Sequence, residues 1–163
     1  MSMHERNYDS PIGTVYISCD VKGITEISFD KISEHQDEHP LLMKTVGILD
    51  AYFNGKEVQD ILPVHINGTP FRMKVWNKLC DIPYGTTVSY QSIARMFSDT
   101  MSSQAIGQAV HHNPISILIP CHRVIGKNGS LIGYGGGLNR KKYLLELEKT
   151  ERKFDITVEW EME

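Results

Sequence analysis

The chain has 163 residues, of which 40% are hydrophobic and 23% charged, an ordinary composition for one globular domain or two small ones. No apolar run approaches the roughly 20 residues that cross a bilayer, and the N-terminus lacks the apolar core of a secretory signal, so a cytoplasmic location is expected. The three cysteines form no CxxC pair, which disfavours both a disulfide framework and a zinc cluster.

The net charge of −3 conceals an uneven distribution along the chain. Residues 1–68 contain 5 Lys/Arg and 11 Asp/Glu, residues 69–150 contain 10 and 4, and residues 151–163 contain 2 and 5. This pattern predicts an N-terminal domain (1–66), a C-terminal domain (67–150) with an anionic partner such as nucleic acid, and an acidic tail (151–163). Chance clustering of solvated charges is the alternative.

The first 66 residues predict a small α/β unit. "GTVYISC" and "GITEISF" alternate apolar and polar residues after a glycine, as strands of an antiparallel sheet do. Residues 40–54 place Leu42, Val46, Leu49 and Phe53 at helical spacing between Pro40 and a glycine, and "LPVHI" adds a further strand.

Three short helices are predicted after residue 67. The first is capped by Thr69 and the second by Ser89, and the third covers roughly 102–112 and ends before Pro114. The polar connection "SDTMSS" makes the second and third helices resemble a helix-turn-helix, although a plain helical hairpin is the commoner outcome.

The segments after the third helix predict a small sheet and a last helix. "ISILIP" predicts a buried strand, and Asn128-Gly129 predicts the turn of a β-hairpin, which together give a winged-helix layout. "GYGGG" lacks the Lys-Ser/Thr of a phosphate-binding loop and is interpreted as a turn. "LNRKKYLLELEKT" predicts the final helix.

Cys121 and His122 are adjacent at the end of the predicted strand. A cysteine attacks as the thiolate, so a nucleophilic Cys121 needs a base such as His122, oriented in turn by an acid such as Glu146 or Glu148. Neighbours in a strand point to opposite faces, so the two side chains cooperate only if the chain turns or a water bridges them. On these two residues alone, a buried structural cysteine is the favoured interpretation.

The surrounding sequence carries a family resemblance. "NPISILIPCHRVIGKNGSLIGYGGGLNRKKYLLELE" closely resembles the O6-alkylguanine-DNA alkyltransferases, or methylated-DNA–protein-cysteine methyltransferases, whose hallmark is Pro-Cys-His-Arg-Val after Asn-Pro and an apolar run. "PYGTTVSYQSIA", "AIGQAV" and "YDSPIGTVYIS" resemble further family segments. The resemblance covers roughly residues 6–150 and is most specific in 84–148.

The resemblance implies a mixed α/β fold, with an N-terminal ribonuclease-H-like α/β domain and a C-terminal helical domain containing the helix-turn-helix. It implies direct-reversal DNA repair, in which a monomer binds the minor groove of double-stranded DNA and flips the O6-alkylguanine out. The cysteine then takes the alkyl group once and irreversibly, with no metal or other cofactor. O4-alkylthymine is a second possible substrate.

The resemblance also implies roles for individual residues. The expected catalytic residues are Cys121 as nucleophile, His122 as water-mediated base, Glu148 as its orienting acid and Asn113 as a brace. The expected substrate-binding residues are Tyr134, Val124 and Gly135. The expected DNA-binding residues are Tyr90, Gln91, Gln104, Ala105, Gly107 and Lys127. Lys141 fits a basic position of the family, and Arg123 is expected to support the local architecture instead of reading bases.

One residue departs from the family pattern. Gln104 stands where the family usually has an arginine that fills the space left by the flipped base. Glutamine is shorter and uncharged, so we expect weaker flipping from duplex DNA. The departure keeps a second function open, that of a non-enzymatic alkylated-DNA-binding protein, although the intact Pro-Cys-His-Arg motif disfavours it. A cysteine hydrolase and a transcriptional regulator are weaker alternatives.

Overall fold

The computed structural model describes residues 3–131 and 134–161. The strands are β1 (His4–Ser10), β2 (Gly13–Cys19), β3 (Ile24–Ser28), β4 (Val58–Val64), β5 (Val88–Ser89), β6 (Val124–Ile125) and β7 (Phe154–Trp160). The helices are α1 (Pro40–Phe53), α2 (Pro70–Leu79), α3 (Tyr90–Phe97), α4 (Ser103–His111) and α5 (Leu138–Leu147). They form two compact units, one of residues 3–66, 114–118 and 151–161, the other of residues 67–113, 119–131 and 134–150.

The first unit is a five-stranded sheet with one helix against it, as expected for an α/β unit. Its strand order is β1-β2-β3-β4-β7, antiparallel from β1 to β3 and parallel from β3 to β7. Helix α1 begins at Pro40, where the His39 side chain accepts a hydrogen bond from the Leu41 amide at 3.1 Å. Leu42, Leu49 and Phe53 are buried, and burying each such side chain contributes about 1.5–3 kcal/mol.

The structure corrects the prediction that residues 151–163 form an acidic tail, because residues 154–160 form strand β7. Strand β7 pairs with β4 along its whole length. Just before it, the Arg152 guanidinium donates hydrogen bonds to the carbonyls of Ala51 and Lys56 at 3.1 and 3.0 Å, and to that of Tyr52. The C-terminal segment is therefore part of the first unit, held by a full ladder and by the carbonyls at and just beyond the end of α1.

The predicted strand at "ISILIP" is wrong. Ile115 forms a single bridge with Ile27 of β3, and residues 116–118 then turn, with Ile117 in the left-handed region at φ 72°. Ile115, Ile117 and Leu118 are buried, which explains why this segment is apolar. A short, fully buried segment has no periodic pattern of apolar residues, so its sequence does not distinguish a strand from a turn.

The second unit is helical, with a two-stranded parallel pairing of β5 and β6. Trp76 of α2 donates its indole N–H to the Ala109 carbonyl of α4 at 2.8 Å, which fixes α4 against α2. Ser89 and Ser102 accept hydrogen bonds from the Ser92 and Ala105 amides and so cap α3 and α4, and the two helices pack together as a helix-turn-helix requires.

The expected hairpin around Asn128-Gly129 is only partly present. The turn is formed, with φ values of 61° and 79° at the two residues, but residues 127–129 are a 3-10 turn. Strand β6 pairs in parallel with β5 instead of with a following strand. Part of the expected second strand, residues 132 and 133, lies outside the described residues. Among the helices described, none is long and apolar enough to cross a membrane.

Candidate active site

The backbone at Cys121 is a 3-10 turn that follows Pro120 and covers Cys121–Arg123. This turn explains how three consecutive residues serve one site, since side chains of neighbouring residues in a strand would point to opposite faces. Cys121, His122 and Arg123 are all buried. The turn leads directly into β6, whose pairing with β5 anchors its C-terminal end.

Asn113 braces this turn from the end of α4. Its side-chain amide donates a hydrogen bond to the Ile119 carbonyl at 2.9 Å and also hydrogen-bonds the Cys121 sulfur. Asn113, two residues beyond the end of α4, is thereby linked both to Ile119, just before the turn, and to the sulfur of Cys121. These contacts place Asn113 against the turn, and its role as a brace stays a prediction.

The Cys121 thiol lies in a site that opposes its ionisation. Burial raises the pKa of the thiol to about 11, although the Asn113 hydrogen bond, the Lys141 charge and backbone N–H groups all favour the thiolate. Lys141 itself is fully buried and donates from Nζ to the Val124 carbonyl at 2.5 Å. Because burial disfavours the thiolate more than these groups favour it, the thiol needs a base that takes its proton.

His122 is held by Glu148, the residue that caps the C-terminal end of α5. His122 Nε2 and Glu148 Oε2 are 2.6 Å apart, and both side chains are almost completely buried. Burial lowers the pKa of His122, although the Glu148 carboxylate opposes this effect. With Nε2–H donating to the carboxylate, Nδ1 carries the lone pair, and in the described part of the chain it has no hydrogen-bond partner. Nδ1 is therefore the atom of this pair that can accept a proton.

Glu148 is also bound by Arg123, and Glu146 takes no part. Arg123 donates from Nε to Oε1 at 2.7 Å and from Nη2 to Oε2 at 3.1 Å. Burial alone would raise the pKa of Glu148, but His122 and Arg123 outweigh it and hold the pKa well below its usual range. Glu146 is exposed and pairs with Lys149 at 3.0 Å. Of the two acids considered from the sequence, the structure brings only Glu148 to the histidine.

A cleft of about 1000 Å³ is lined by α3, α4 and the segment after β6, and it meets this site at Tyr90, whose ring centroid lies 5.7 Å from Lys141 Nζ. Its lining includes five of the six expected DNA-binding residues, and of the described residues that line it none is Asp or Glu. Those five are Tyr90, Gln91, Gln104, Gly107 and Lys127, and Gly107 lies against the Tyr90 ring. Ala105 is the expected DNA-binding residue that is absent from this lining.

The expected substrate-binding residues lie around the same site. The Tyr134 ring is buried and meets the His122 ring edge-on, with the centroids 6.5 Å apart. Gly136 must be a glycine here, because a Cβ would approach the Tyr134 ring to 2.5 Å. Gly135 lies against His111, and the Val124 carbonyl accepts the Lys141 bond.

Gln108 and His111 are among the cleft residues that were not predicted from the sequence. Gln108 and His111 follow Gln104 by four and seven positions, so all three lie on one face of α4 and line the cleft. Helical spacing from Gln104 is the signal that would have found them. Within the described residues, no group of three or more His, Cys, Asp or Glu side chains could hold a metal ion.

The chain matches two family models that together span most of its length. Residues 3–66 match the ribonuclease-like domain of 6-O-methylguanine DNA methyltransferase, and residues 70–150 match the DNA binding domain of the same. It is 40% identical over 162 residues to the methylated-DNA–protein-cysteine methyltransferase of Mycobacterium tuberculosis, covering 96% of this chain and 98% of that protein. The Haemophilus influenzae protein of the same name is 40% identical over 150 residues, covering 87% and 84%.

Solved structures agree with these matches. The crystal structure of Mycobacterium tuberculosis OGT in complex with DNA aligns with a TM-score of 0.79 at 41% identity, covering 92% of this chain and 95% of that chain. The α/β unit and the helical unit thus correspond to the two domains of the family, and the expected fold class is confirmed. With both domains matched and Cys121, His122 and Glu148 brought together, the chain belongs to the 6-O-methylguanine DNA methyltransferase family.

Proposed function

We propose that the protein repairs DNA by transferring an alkyl group from O6 of guanine to Sγ of Cys121. The observation that carries this is the juxtaposition of a buried cysteine with a His122–Glu148 pair in a domain of the family's DNA-binding type. Sγ attacks the alkyl carbon, the bond from that carbon to O6 breaks, and its electron pair leaves on the guanine. The thiol proton goes to His122, which passes it through water to the guanine anion, so that the imidazole is neutral again and the repaired guanine carries the proton.

The Cys121 thiolate forms only when His122 accepts the thiol proton during the transfer step. Burial holds the pKa of Cys121 near 11, so the resting group is the thiol. His122 Nδ1 accepts the proton through a bridging water, while Glu148 holds Nε2–H and stabilises the imidazolium that forms. Lys141 and Asn113 stabilise the sulfur as its charge develops. The thioether that results is stable, so each molecule acts once and no cofactor takes part.

The cleft beside Cys121 is the proposed site for the substrate. Its volume lies within the range that small-molecule and nucleotide sites occupy, and its amide, hydroxyl and cationic lining suits an anionic, hydrogen-bonding ligand. We place the face of α4 in the DNA minor groove and the flipped base in the cleft, with Tyr134 beside it. Flipping costs a few kcal/mol, least for damaged or weakly paired bases.

Tyr90, Gln91 and Lys127 are proposed to position the DNA backbone. Tyr90 and Gln91 begin α3, and Lys127 lines the same cleft from the segment after β6. Phosphate contacts of this kind fix register without reading sequence. A single chain carries every residue invoked, which supports action as a monomer.

Intact-mass measurement after incubation with O6-methylguanine DNA tests this function. We expect the wild-type protein and a Cys80→Ser control to gain one methyl group, and Cys121→Ser to gain none. Binding of the DNA without a mass gain would support the lesion-binding alternative. Release of more than one equivalent of repaired guanine per protein would contradict a single irreversible transfer.

A further inference from the structure

The carboxylate of Glu148 is shared between two neighbouring side chains. Its Oε2 accepts from His122 Nε2 at 2.6 Å and from Arg123 Nη2 at 3.1 Å, while Oε1 accepts from Arg123 Nε at 2.7 Å. The Gly85 amide adds a weaker bond to Oε1 at 3.4 Å. His122 therefore faces a carboxylate whose charge is already largely engaged by a guanidinium.

Arg123 is fixed in this position by contacts beyond Glu148. Its Nη1 donates to the Ile82 carbonyl at 2.8 Å, and its guanidinium lies over the Tyr84 ring with its central carbon 5.5 Å from the centroid. The side chain is only 8% exposed. The planar fork of arginine matches a carboxylate in two parallel bonds, which a lysine cannot reproduce. The arrangement is rigid, so the division of the carboxylate's charge is built into the fold.

We propose that Arg123 is a positioning residue that divides the charge of Glu148 and so keeps His122 neutral, ready to accept the proton of Cys121 at neutral pH. This inference rests on the proposed alkyl transfer. Arg123 acts through Glu148 and His122, without contact to the reacting atoms. The expected supporting role of Arg123 thereby becomes a role in the chemistry.

The charges around His122 give the direction of the effect. Glu148 faces it from the C-cap of α5, Lys141 from within α5, and Arg123 and Cys121 from its own turn, while the uncharged Tyr134 ring meets it edge-on. Burial lowers the pKa of His122 first; Glu148 raises it, and Arg123 and Lys141 lower it. Without Arg123, the full carboxylate charge would face the imidazole and stabilise the imidazolium, which cannot accept a proton.

The pH dependence of single-turnover methyl transfer tests the inference. Rates are measured with saturating O6-methylguanine duplex from about pH 5 to about pH 9, the range that brackets histidine titration. For Arg123→Met we expect the acid limb to move up by about one pH unit, which lowers the rate about tenfold below the limb, with DNA affinity unchanged. Arg123→Lys keeps the positive charge but loses the two parallel hydrogen bonds of the guanidinium. Its acid limb should therefore lie between those of the wild type and Arg123→Met.

NMR titration of the His122 imidazole in the unreacted protein gives a second readout that needs no transfer. We expect the midpoint to rise in Arg123→Met by the same amount as the acid limb. A midpoint at the wild-type position in both variants would overturn the inference, whatever happens to the rate. If the wild type transfers no methyl group, the proposed function fails, while the titration still decides the role of Arg123.

Tyr84→Phe is the matched control. It removes the hydroxyl that donates to the Leu147 carbonyl at 3.4 Å, beside Glu148 at the end of α5, and keeps the ring that Arg123 lies over. This change loosens the same part of the unit without altering charge. We expect Tyr84→Phe to leave both the acid limb of the pH–rate profile and the midpoint of the His122 titration unchanged. A shift as large as that of Arg123→Met would show that the effect is merely structural, and would overturn the inference.

Discussion

Lys141 and Cys121 are both buried, and burial favours the neutral form of each by raising the pKa of Cys121 and lowering that of Lys141. The charge of each residue opposes the effect of burial on the other. The ammonium favours the thiolate, and the thiolate favours the ammonium. The Lys141 Nζ also lies 5.7 Å from the centroid of the Tyr90 ring, at the wall of the cleft. A lysine this deeply buried is costly, which makes its role testable by substitution.

Lys141→Met is expected to slow alkyl transfer by about tenfold or more at neutral pH, because loss of the positive charge raises the pKa of Cys121 further. Single-turnover kinetics with methylated DNA measure the effect. Lys142→Met is the matched control, since Lys142 is the exposed neighbour on the same helix. Equal losses in the two variants would show that overall charge, and not the buried ammonium, governs the rate.

The same substitution is expected to stabilise the fold. Burial lowers the pKa of Lys141 to about 8, against about 10.4 in an unfolded chain, so the charged form is penalised at every pH below about 8 and the penalty fades toward about 10.4. Lys141→Met removes this penalty and should gain on the order of 1 kcal/mol in unfolding free energy at pH 7. Urea unfolding should show the gain shrinking between pH 8 and pH 10, and a loss of stability at pH 7 would contradict the sign.

Glu148→Gln is expected to destabilise the second unit by about 3–5 kcal/mol, because the buried Arg123 loses its charged partner. In the wild type the pKa of Glu148 is held below its usual range, so its contribution is complete above the unfolded value of about 4.3 and is lost as the pH falls below it. The difference between wild type and variant in urea unfolding should therefore stay constant from pH 7 to about pH 5 and shrink as the pH falls below about 4.3. A difference that does not depend on pH would point to lost packing instead of lost charge.

Gln104→Arg is expected to raise the transfer rate on methylated duplex DNA by about tenfold, equivalent to about 1.4 kcal/mol, and to leave the rate on a methylated single strand unchanged. Arginine is longer and charged and would fill the space of the flipped base in a duplex, whereas a single strand needs no such filling. Gln108→Arg places the same charge one turn further along the same face of α4. If it raises the duplex rate equally, the gain is general electrostatic attraction and not base flipping.

Arg152→Met is expected to destabilise the first unit by about 2–3 kcal/mol, because three carbonyls at and just beyond the end of α1 lose their charged donor together. Hydrogen exchange of the β4 and β7 amides measures the loss. Lys153→Met, the same change of charge at the exposed next position, should leave exchange unchanged. Comparable loss of protection in both variants would exclude a specific role for the Arg152 contacts.

The sequence predicted the chemistry of the site better than its backbone. The family, the fold class and the reaction type are confirmed, and Cys121, His122 and Glu148 do lie together. The individual roles of the site residues stay predictions. Their positions were accessible because the motif carries them at fixed spacing, whereas the 3-10 turn that lets neighbouring residues converge leaves no periodic trace in the sequence.

Other features depend on contacts that no local pattern reveals. Lys141 lies among three consecutive basic residues, and only tertiary packing distinguishes the buried one from the exposed Lys142. Strand β7 is a different case, since Phe154, Ile156, Val158 and Trp160 alternate as a strand should. The acidic residues between them suggested a solvated tail, whereas the alternation of apolar and polar residues correctly indicates a strand.

The pairing of β4 with β7 joins residues nearly a hundred positions apart, with the whole helical unit between them in the chain. During synthesis on the ribosome, the N-terminal sheet cannot be completed until residue 160 has left the exit tunnel. The helical unit has all of its own residues about ten positions earlier. The domain that is translated first is therefore finished last, and a stalled or truncated chain would expose the open edge of β4, a template for pairing with other chains.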